Sequence, residues 1–152
     1  SDFTESFNFA RKSGLGITAH AGEICGAKSV DEAIRLGVTR IGHGIRSEES
    51  NETIMKILEK NILLEVCPGS NIALGLYPSL DKHPINFLLN KKLPISISTD
   101  DPPFFSTTLS KEYRDLHDVF GWREETFNEI NQQSLEFAFC ESSLKEKLIQ
   151  QL

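Results

Sequence analysis

Cysteine is scarce in this chain of 152 residues, which also lacks long apolar runs and any surplus of basic residues. The three cysteines are odd in number and form no C-x-x-C pair, which indicates reduced, buried thiols in a cytoplasmic protein rather than disulfides or a thiolate zinc site. No apolar run approaches the roughly 20 residues of a membrane span. A formal net charge of -6 argues against a nucleic-acid groove or a membrane-surface helix. We therefore predict neither nucleic acid nor membrane as a partner.

Four short segments read as β-branched strands that end in polar residues. They cover 17–23, 40–44, 64–71 and 97–102, and their polar endings include His20, His43, Cys67 and Asp100. The segments are spaced at βα-unit lengths, which predicts an α/β protein with a parallel sheet. Because the carboxyl ends of parallel strands meet on one rim, we expect these side chains to share a pocket.

Helical patterns fill the intervals between the predicted strands. Ser29-x-x-Glu32 resembles a capping box at the start of one helix, and Gly37 is a natural stop for it. Apolar residues at helical spacing predict further helices around 54–58 and 85–89.

The chain after the fourth strand reads as wholly helical. We predict helices over 109–120, about 124–130, 134–140 and 144–152. Leu135, Ala138 and Phe139 recur at helical spacing and are interpreted as a stripe that faces the core.

Length conflicts with a complete barrel, because a closed eight-stranded barrel needs about 250 residues. We therefore predict half of a (β/α)8 TIM barrel, with four parallel strands and their helices, plus a helical carboxyl-terminal tail. One domain covers 1–152, with βα units to about residue 108 and terminal helices from about 109. The chain is interpreted as the carboxyl-terminal piece of a larger protein.

A half-barrel exposes two sheet edges and the inner face of its strands, which invites pairing with another chain. We expect Ile17, Ile41, Val66 and Ile97 to line that inner face. The hypothesis is that the chain folds with the missing amino-terminal half-barrel, a second copy of itself or a swapped partner.

The polar strand endings contain the ligand types of a zinc hydrolase. Zinc in hydrolases is commonly held by imidazoles and a carboxylate, with one position left for water, and His20 and Asp100 fit this set. Glu23 follows His20 in a glycine-containing turn and is a candidate proton donor to the substrate. His43 lies between two glycines and is a candidate to take a proton from the water or to steer it. Asp101 adds a second carboxylate with a different task.

Each of these residues taken singly has an ordinary structural explanation, so only their coincidence at successive strand ends supports a site. Ser70 and Asn71 follow a Cys-Pro-Gly turn, where turn chemistry is the default and support of a ligand is the weaker option. His83 and His117 are interpreted as exposed or capping residues without a role.

Four motifs together resemble the carboxyl-half motifs of the adenosine deaminase family. They are Thr-Ala-His-Ala-Gly-Glu at 18–23, Arg-Ile-Gly-His-Gly at 40–44, Glu-Val-Cys-Pro at 65–68 and Ser-Thr-Asp-Asp-Pro at 98–102. The similarity runs through essentially the whole chain, and the first and last motifs are the most diagnostic pair.

The resemblance implies a zinc-dependent purine deaminase on a (β/α)8 barrel. By motif match, His20 and Asp100 would be zinc ligands. Glu23 would protonate purine N1, and His43 would be the base or orienting group for attack on C6. Asp101 would bind the substrate, and Ser70 would lie near the site. Adenosine, converted to inosine and ammonia, is the first substrate choice, with adenine or another 6-aminopurine as the alternative.

The chain also departs from the family pattern. Family members carry a His-x-His pair that completes the zinc site, and this sequence contains no such pair. We therefore expect the isolated chain to bind zinc weakly and to be inactive. A non-enzymatic half-barrel that acts as an interaction or scaffold chain is the other function class. The enzyme is favoured because all five candidate chemical residues are intact.

Overall fold

The computed structural model describes residues 3–152, and Ser1 and Asp2 of the predicted range 1–152 lie outside the described residues. Four parallel strands form one sheet in the order β1-β2-β3-β4. They are β1 (Thr18–Ala21), β2 (Arg40–His43), β3 (Leu63–Val66) and β4 (Ile95–Ile97). Each strand pairs with the next one along the chain, as in one half of a (β/α)8 barrel, so the predicted fold class is confirmed.

Helices precede and connect the strands. They are α1 (Thr4–Lys12), α2 (Ala27–Arg35), α3 (Asn51–Lys60), α4 (Pro68–Ala73) and α5 (Ile85–Asn90), with 3-10 turns at Ile45–Glu49 and Leu80–Lys82. Four helices follow the last strand: α6 (Pro102–Phe105), α7 (Leu109–Phe120), α8 (Glu124–Glu136) and α9 (Ser142–Ile149). None of the helices in the described part of the chain has the length and apolar character to cross a membrane.

Helix α2 begins earlier than the predicted capping box. Gly26 is its N-cap, and Ser29 lies inside the helix. The Ser29 hydroxyl accepts a hydrogen bond from the Gly22 backbone N–H at 2.9 Å and donates to the Gly26 carbonyl at 2.9 Å. The capping-box prediction is therefore wrong, because this serine holds the turn after β1 instead of the helix end.

The two faces of the sheet differ in polarity. Ile17, Ile41, Val66 and Ile97 are buried in the hydrophobic core, so the prediction that they line an open inner face is wrong. They belong to the face that the helices cover, because a buried parallel sheet requires β-branched residues against its helix layer.

The opposite face carries polar side chains beside the buried Leu63, which is level with Arg40. The register aligns Thr18 with Arg40, and Gly42 with Glu65. The Glu65 carboxylate accepts a hydrogen bond from the Thr18 hydroxyl at 2.9 Å and pairs with the Arg40 guanidinium at 2.8 Å. This face therefore carries an ion pair where the helix-covered face carries aliphatic side chains.

The helical tail departs from its predicted pattern in one place. The helix over 109–120 is confirmed, but α8 continues through the predicted break to Glu136, and no helix covers 137–140. Within α8, Gln133 accepts a hydrogen bond from the Ile95 backbone N–H at 3.3 Å, which ties the helix to β4.

The predicted core-facing stripe at the end of α8 is wrong. Leu135 and Ala138 are half-buried, and Phe139 is exposed. The Phe139 ring lies 4.0 Å from the Arg40 guanidinium carbon, so it covers a cation rather than filling the core.

The thiols are also less buried than predicted. Cys67 is buried, whereas Cys25 and Cys140 are exposed, and all three are free. The prediction of buried thiols is therefore wrong for two of them, because both lie in surface segments beside helix ends.

Candidate active site

Four predicted site residues converge at the carboxyl ends of the strands, with His43 at their centre. The rings of His20 and His43 lie 5.3 Å apart between centroids. His43 Nε2 lies 3.5 Å from a Glu23 oxygen and 3.8 Å from an Asp100 oxygen. The predicted convergence of these side chains at the strand ends is therefore present in the structure. Their individual roles stay predictions.

Unusual backbone angles position two of these residues. His43 and Asp100 have φ values of 62° and 58°, a left-handed region that residues other than glycine rarely adopt. Position 42 favours glycine for a steric reason, because a Cβ there would lie 3.1 Å from the His20 ring. The backbone at these strand ends therefore leaves room for the His20 ring and sets the direction of the His43 ring.

The turn that carries Glu23 is fixed on both sides. The Ser29 hydroxyl binds the Gly22 backbone N–H, and the Arg46 backbone N–H donates to the Gly22 carbonyl at 2.9 Å. The Arg46 side chain also donates to the Glu23 carbonyl at 3.0 Å. These contacts hold the turn while the Glu23 carboxylate stays available to a ligand.

Asp100 and Asp101 have different surroundings, as the sequence predicted. The Ser70 hydroxyl donates to Asp100 Oδ2 at 2.7 Å, which fixes that carboxylate and brings Ser70 to the site. Asp101 is exposed at the start of α6, and no hydrogen bond or ion pair of its carboxylate occurs within residues 3–152.

A buried hydrogen-bond chain extends from the back of His43. Asn71 Nδ2 lies 3.3 Å from His43 Nδ1, and His83 Nε2 lies 3.0 Å from Asn71 Oδ1. The Ile85 backbone N–H donates to His83 Nδ1 at 3.1 Å. His83 therefore caps the start of α5, but it is only 3% exposed, so its predicted exposure is wrong.

Sequence reasoning missed His83 as part of the site. For Asn71, which follows Ser70 directly, it took turn chemistry as the default and support of a ligand as the weaker option. His83 stands before Pro84, and its burial depends on contacts that no local pattern encodes. By contrast, His117 is exposed, in agreement with its interpretation as an exposed or capping residue, and it hydrogen-bonds the Trp122 carbonyl at 2.7 Å just beyond the end of α7.

Burial shifts the proton affinities of three side chains at the site. Burial lowers the pKa of His43 from its usual 6.5, although Glu23 and Asp100 oppose this shift. Burial also lowers the pKa of His83 to about 4. For Cys67, burial raises the pKa to about 12. Both imidazoles and the thiol are therefore neutral near pH 7.

The donor set at this rim fits a zinc ion. Donor atoms of His43, Cys67 and Asp100 lie within 4.8 Å of one another, and the His20 ring is in contact with the His43 ring. Imidazole nitrogens and a carboxylate are ligands that catalytic zinc prefers. Of these residues, His20 and Asp100 are the predicted ligands.

Comparison with known proteins places this arrangement in context. The adenosine deaminase family model matches residues 1–152. A curated adenine deaminase from Agrobacterium fabrum is 43% identical over 152 residues, which is 99% of this chain and 47% of the relative. The chain thus spans about half the length of the curated relatives it matches.

Solved structures of deaminases and of an amidohydrolase are also similar to this chain. The adenine deaminase of Arthrobacter aurescens matches with a TM-score of 0.93 and 29% identity, over 97% of this chain and 46% of that one. An N6-mAMP deaminase from Arabidopsis matches with a TM-score of 0.86 and 29% identity, over 95% and 43%. A zinc-bound amidohydrolase from Burkholderia ambifaria matches with a TM-score of 0.86 and 25% identity, over 95% and 41%.

Proposed function

The chain belongs to the adenosine deaminase family, and we propose that the whole protein removes the 6-amino group of a purine by hydrolysis, with adenine as its preferred substrate. The observation that carries this proposal is that carboxyl oxygens of Glu23 and Asp100 both lie within 4 Å of His43 Nε2. The sequence alone favoured adenosine, whereas adenine deaminases from several bacteria are 36–43% identical to this chain and favour adenine. Adenosine is therefore the second candidate.

We propose that His20 and Asp100 hold a zinc ion. The zinc-bound relative from Burkholderia ambifaria supports this assignment, as does the hydrogen bond from Ser70 that fixes the Asp100 carboxylate. When bound, zinc polarises a water molecule and lowers its pKa to about 7.

Glu23 would transfer protons, and His43 would orient the attacking water. Glu23 delivers a proton to purine N1, which makes C6 electrophilic, and His43 holds the attacking water against C6. The water oxygen bonds to C6, and the bond from C6 to the amino nitrogen breaks. One water proton leaves with the amine as ammonia, and the other replaces the proton that Glu23 gave to N1.

Asp101 would bind the substrate. Its exposed carboxylate lies beside Asp100 without a partner in the described residues, which leaves it free to accept a hydrogen bond from the purine edge. The proposed partner of the protein is thus a small purine, and a cytoplasmic location, consistent with three free thiols, belongs to the same proposal.

Residues 1–152 alone would hold zinc weakly. The two proposed ligands leave a tetrahedral zinc site short of protein donors, so further ligands would come from the amino-terminal half-barrel or a second copy of the chain. Elemental analysis that found one firmly held zinc per isolated chain would contradict this proposal.

The activity is tested by incubating the complete, zinc-loaded protein with adenine, adenosine and N6-methyl-AMP and separating the products by chromatography. We expect the highest kcat/KM for adenine, and a Glu23→Gln variant provides the inactive control. Preference for adenosine would select the second candidate, and preference for N6-methyl-AMP would select the activity named for the Arabidopsis relative. Failure to convert any of the three would overturn the proposal.

A further inference from the structure

In the buried chain of hydrogen bonds behind His43, the Ile85 backbone N–H determines which atom donates and which accepts in each bond. A backbone N–H can only donate, so the Ile85 N–H makes His83 Nδ1 an acceptor at 3.1 Å. A neutral His83 then carries its proton on Nε2 and donates it to Asn71 Oδ1 at 3.0 Å. This fixes the orientation of the Asn71 amide, because its oxygen is already engaged.

The direction continues to His43. With its oxygen turned to His83, Asn71 presents its NH2 group to His43 Nδ1 at 3.3 Å. His43 Nδ1 therefore accepts a hydrogen bond and carries no proton in the neutral ring. The only nitrogen left to carry the proton is Nε2, the one that faces Glu23 and Asp100.

We propose that Asn71 and His83 are positioning residues that hold the neutral His43 ring with its proton on Nε2, so that His43 acts as a hydrogen-bond donor in the reaction and not as a base. The catalytic meaning of this tautomer rests on the proposed function, whereas the tautomer itself follows from the contacts of this chain.

The front of the His43 ring gives an independent reason for the same tautomer. Nε2 lies 3.5 Å from a Glu23 oxygen and 3.8 Å from an Asp100 oxygen. Before Glu23 takes up the proton that it later delivers to N1, a lone pair on Nε2 faces two carboxylates and is repelled, whereas an N–H bond there is attracted to both. The back and the front of the ring therefore favour the same proton position.

Burial makes the chain of bonds rigid. Asn71 is 0% exposed and His83 is 3% exposed, so water has little access to replace either partner. The Tyr77 ring packs edge-on against the His83 ring at 5.1 Å between centroids, and its hydroxyl donates to Glu48 at 2.8 Å. Burial lowers the pKa of His83 to about 4, which keeps this imidazole neutral across the working range of most enzymes.

The tautomer of His43 determines which group can accept a proton from the attacking water. A His43 that already carries a proton on Nε2 can orient the oxygen that attacks C6 but cannot take its proton. That proton goes instead to Glu23, which has given its own proton to N1 and whose carboxyl oxygen lies 3.5 Å from Nε2. His43 would thus resemble an oxyanion-hole donor in its contribution.

The tautomer is tested by NMR on the complete, zinc-loaded protein labelled with ¹⁵N-histidine, at neutral pH. The His43 signals are assigned from their loss in a His43→Gln variant. We expect an unprotonated Nδ1 and a protonated Nε2. A protonated Nδ1 on His43 in the wild-type protein would overturn the proposal.

The Asn71→Asp variant tests whether the hydrogen bonds from Asn71 and His83 determine the tautomer of His43. The substitution is nearly isosteric, but a carboxylate can only accept, so it draws a proton to His43 Nδ1. We expect the NMR signature to change and kcat to fall by about 10²- to 10³-fold, the usual effect of losing one donor at a reacting oxygen. KM for adenine and the zinc content should be unchanged, since the Asn71 side chain hydrogen-bonds His43 and His83 and neither proposed zinc ligand. An unchanged NMR signature in this variant would contradict the positioning role.

His83→Gln and His83→Phe form a matched pair. The Gln amide places an N–H near the position of His83 Nε2 and can still donate to Asn71, whereas Phe has a similar size and no donor. We expect Gln to retain the wild-type tautomer of His43 and most of kcat, and Phe to lose both. Equal kcat values in the two variants, both well folded by circular dichroism, would overturn the proposal.

The two hypotheses fail separately. If the NMR shows the expected tautomer but the complete protein converts no purine, the proposed function fails and the network assignment stands. If adenine is converted while His43 carries its proton on Nδ1, the proposed function stands and the network assignment fails.

Discussion

The two faces of the four-stranded sheet carry different residues for different purposes. On the helix-covered face, Ile41, Leu64 and Ile95 are fully buried. On the opposite face, Thr18, Arg40 and Glu65 form a polar network. The contrast teaches that one alternating strand pattern can place aliphatic side chains against the helices and a polar network on the other side of the sheet.

His43 connects the two faces. In the register it lies beside Ala21, on the helix-covered side, and not beside His20, which pairs with Gly42. Its positive φ ends the strand and turns the ring, so that Nδ1 meets the buried Asn71 while Nε2 faces Glu23 and Asp100. One side of the ring is therefore held by the buried Asn71, while the other side faces the two carboxyl groups of the candidate site.

The largest expected effect comes from removing the proposed carboxylate ligand. Asp100→Ala should lose zinc and lower kcat/KM for adenine by about 10³- to 10⁴-fold, because a metal contributes several kcal/mol to the transition state. Zinc content and product formation measure the change. Asp101→Ala is the matched control and should keep zinc while raising KM. Equal zinc loss in both variants would contradict the distinct roles of the two aspartates.

Glu23→Gln should come next, with a loss of about 10³-fold in kcat, since the amide has the shape of the carboxyl group but cannot deliver a proton. Zinc content should not change. Glu52 lies in α3 with an exposed side chain, so Glu52→Gln is the control and should have wild-type turnover. A Glu23→Gln variant with wild-type kcat would remove Glu23 from the proton chemistry.

On the other face, Ile41→Ala should affect stability and not chemistry. Deleting part of a fully buried side chain should lower the free energy of unfolding by about 2 to 5 kcal/mol, while kcat of the folded fraction stays near wild type. Urea denaturation measures the first and active-site titration corrects the second. Met55→Ala, at an exposed position, should change neither. A specific loss of kcat in Ile41→Ala would show that the two faces are not separate in function.

The smallest effect is an acid dependence of stability. The pKa of His83 falls from 6.5 in the unfolded chain to about 4 in the folded one, so the unfolded state binds a proton first as pH decreases. Stability should therefore fall between pH 6.5 and 4 by up to about 3 kcal/mol, with no contribution above that window. Denaturation curves at several pH values give the free energy of unfolding as a function of pH, and this free energy should decrease less steeply between pH 6.5 and 4 in His83→Gln. The same decrease in both proteins would mean that His83 is not buried as a neutral group.

Sequence reasoning found the strands and the rim residues because each depends on local patterns. The endings at His20, Glu23, His43 and Asp100 follow β-branched runs at βα spacing, and their convergence is a property of any parallel sheet. Helix α7 was equally predictable from its apolar periodicity.

Other features depend on contacts that the sequence does not display. Ser29 resembled a cap, but it serves the turn at Gly22 instead. The face of Ile41 could not be assigned, because an alternating strand pattern does not say which side the helices cover. Asn71 and His83 acquire meaning only through each other, across an intervening turn and a 3-10 segment.

The central claim is that His20, Glu23, His43 and Asp100 surround one zinc ion on the rim of a deaminase barrel. Its most direct test is anomalous diffraction at the zinc absorption edge from crystals of the complete protein. We expect a single strong peak within about 2.0 to 2.2 Å of a His20 nitrogen and an Asp100 oxygen, with Glu23 and His43 around the adjacent cavity. A zinc ion bound by other residues, or no peak at this rim in active protein, would contradict the account.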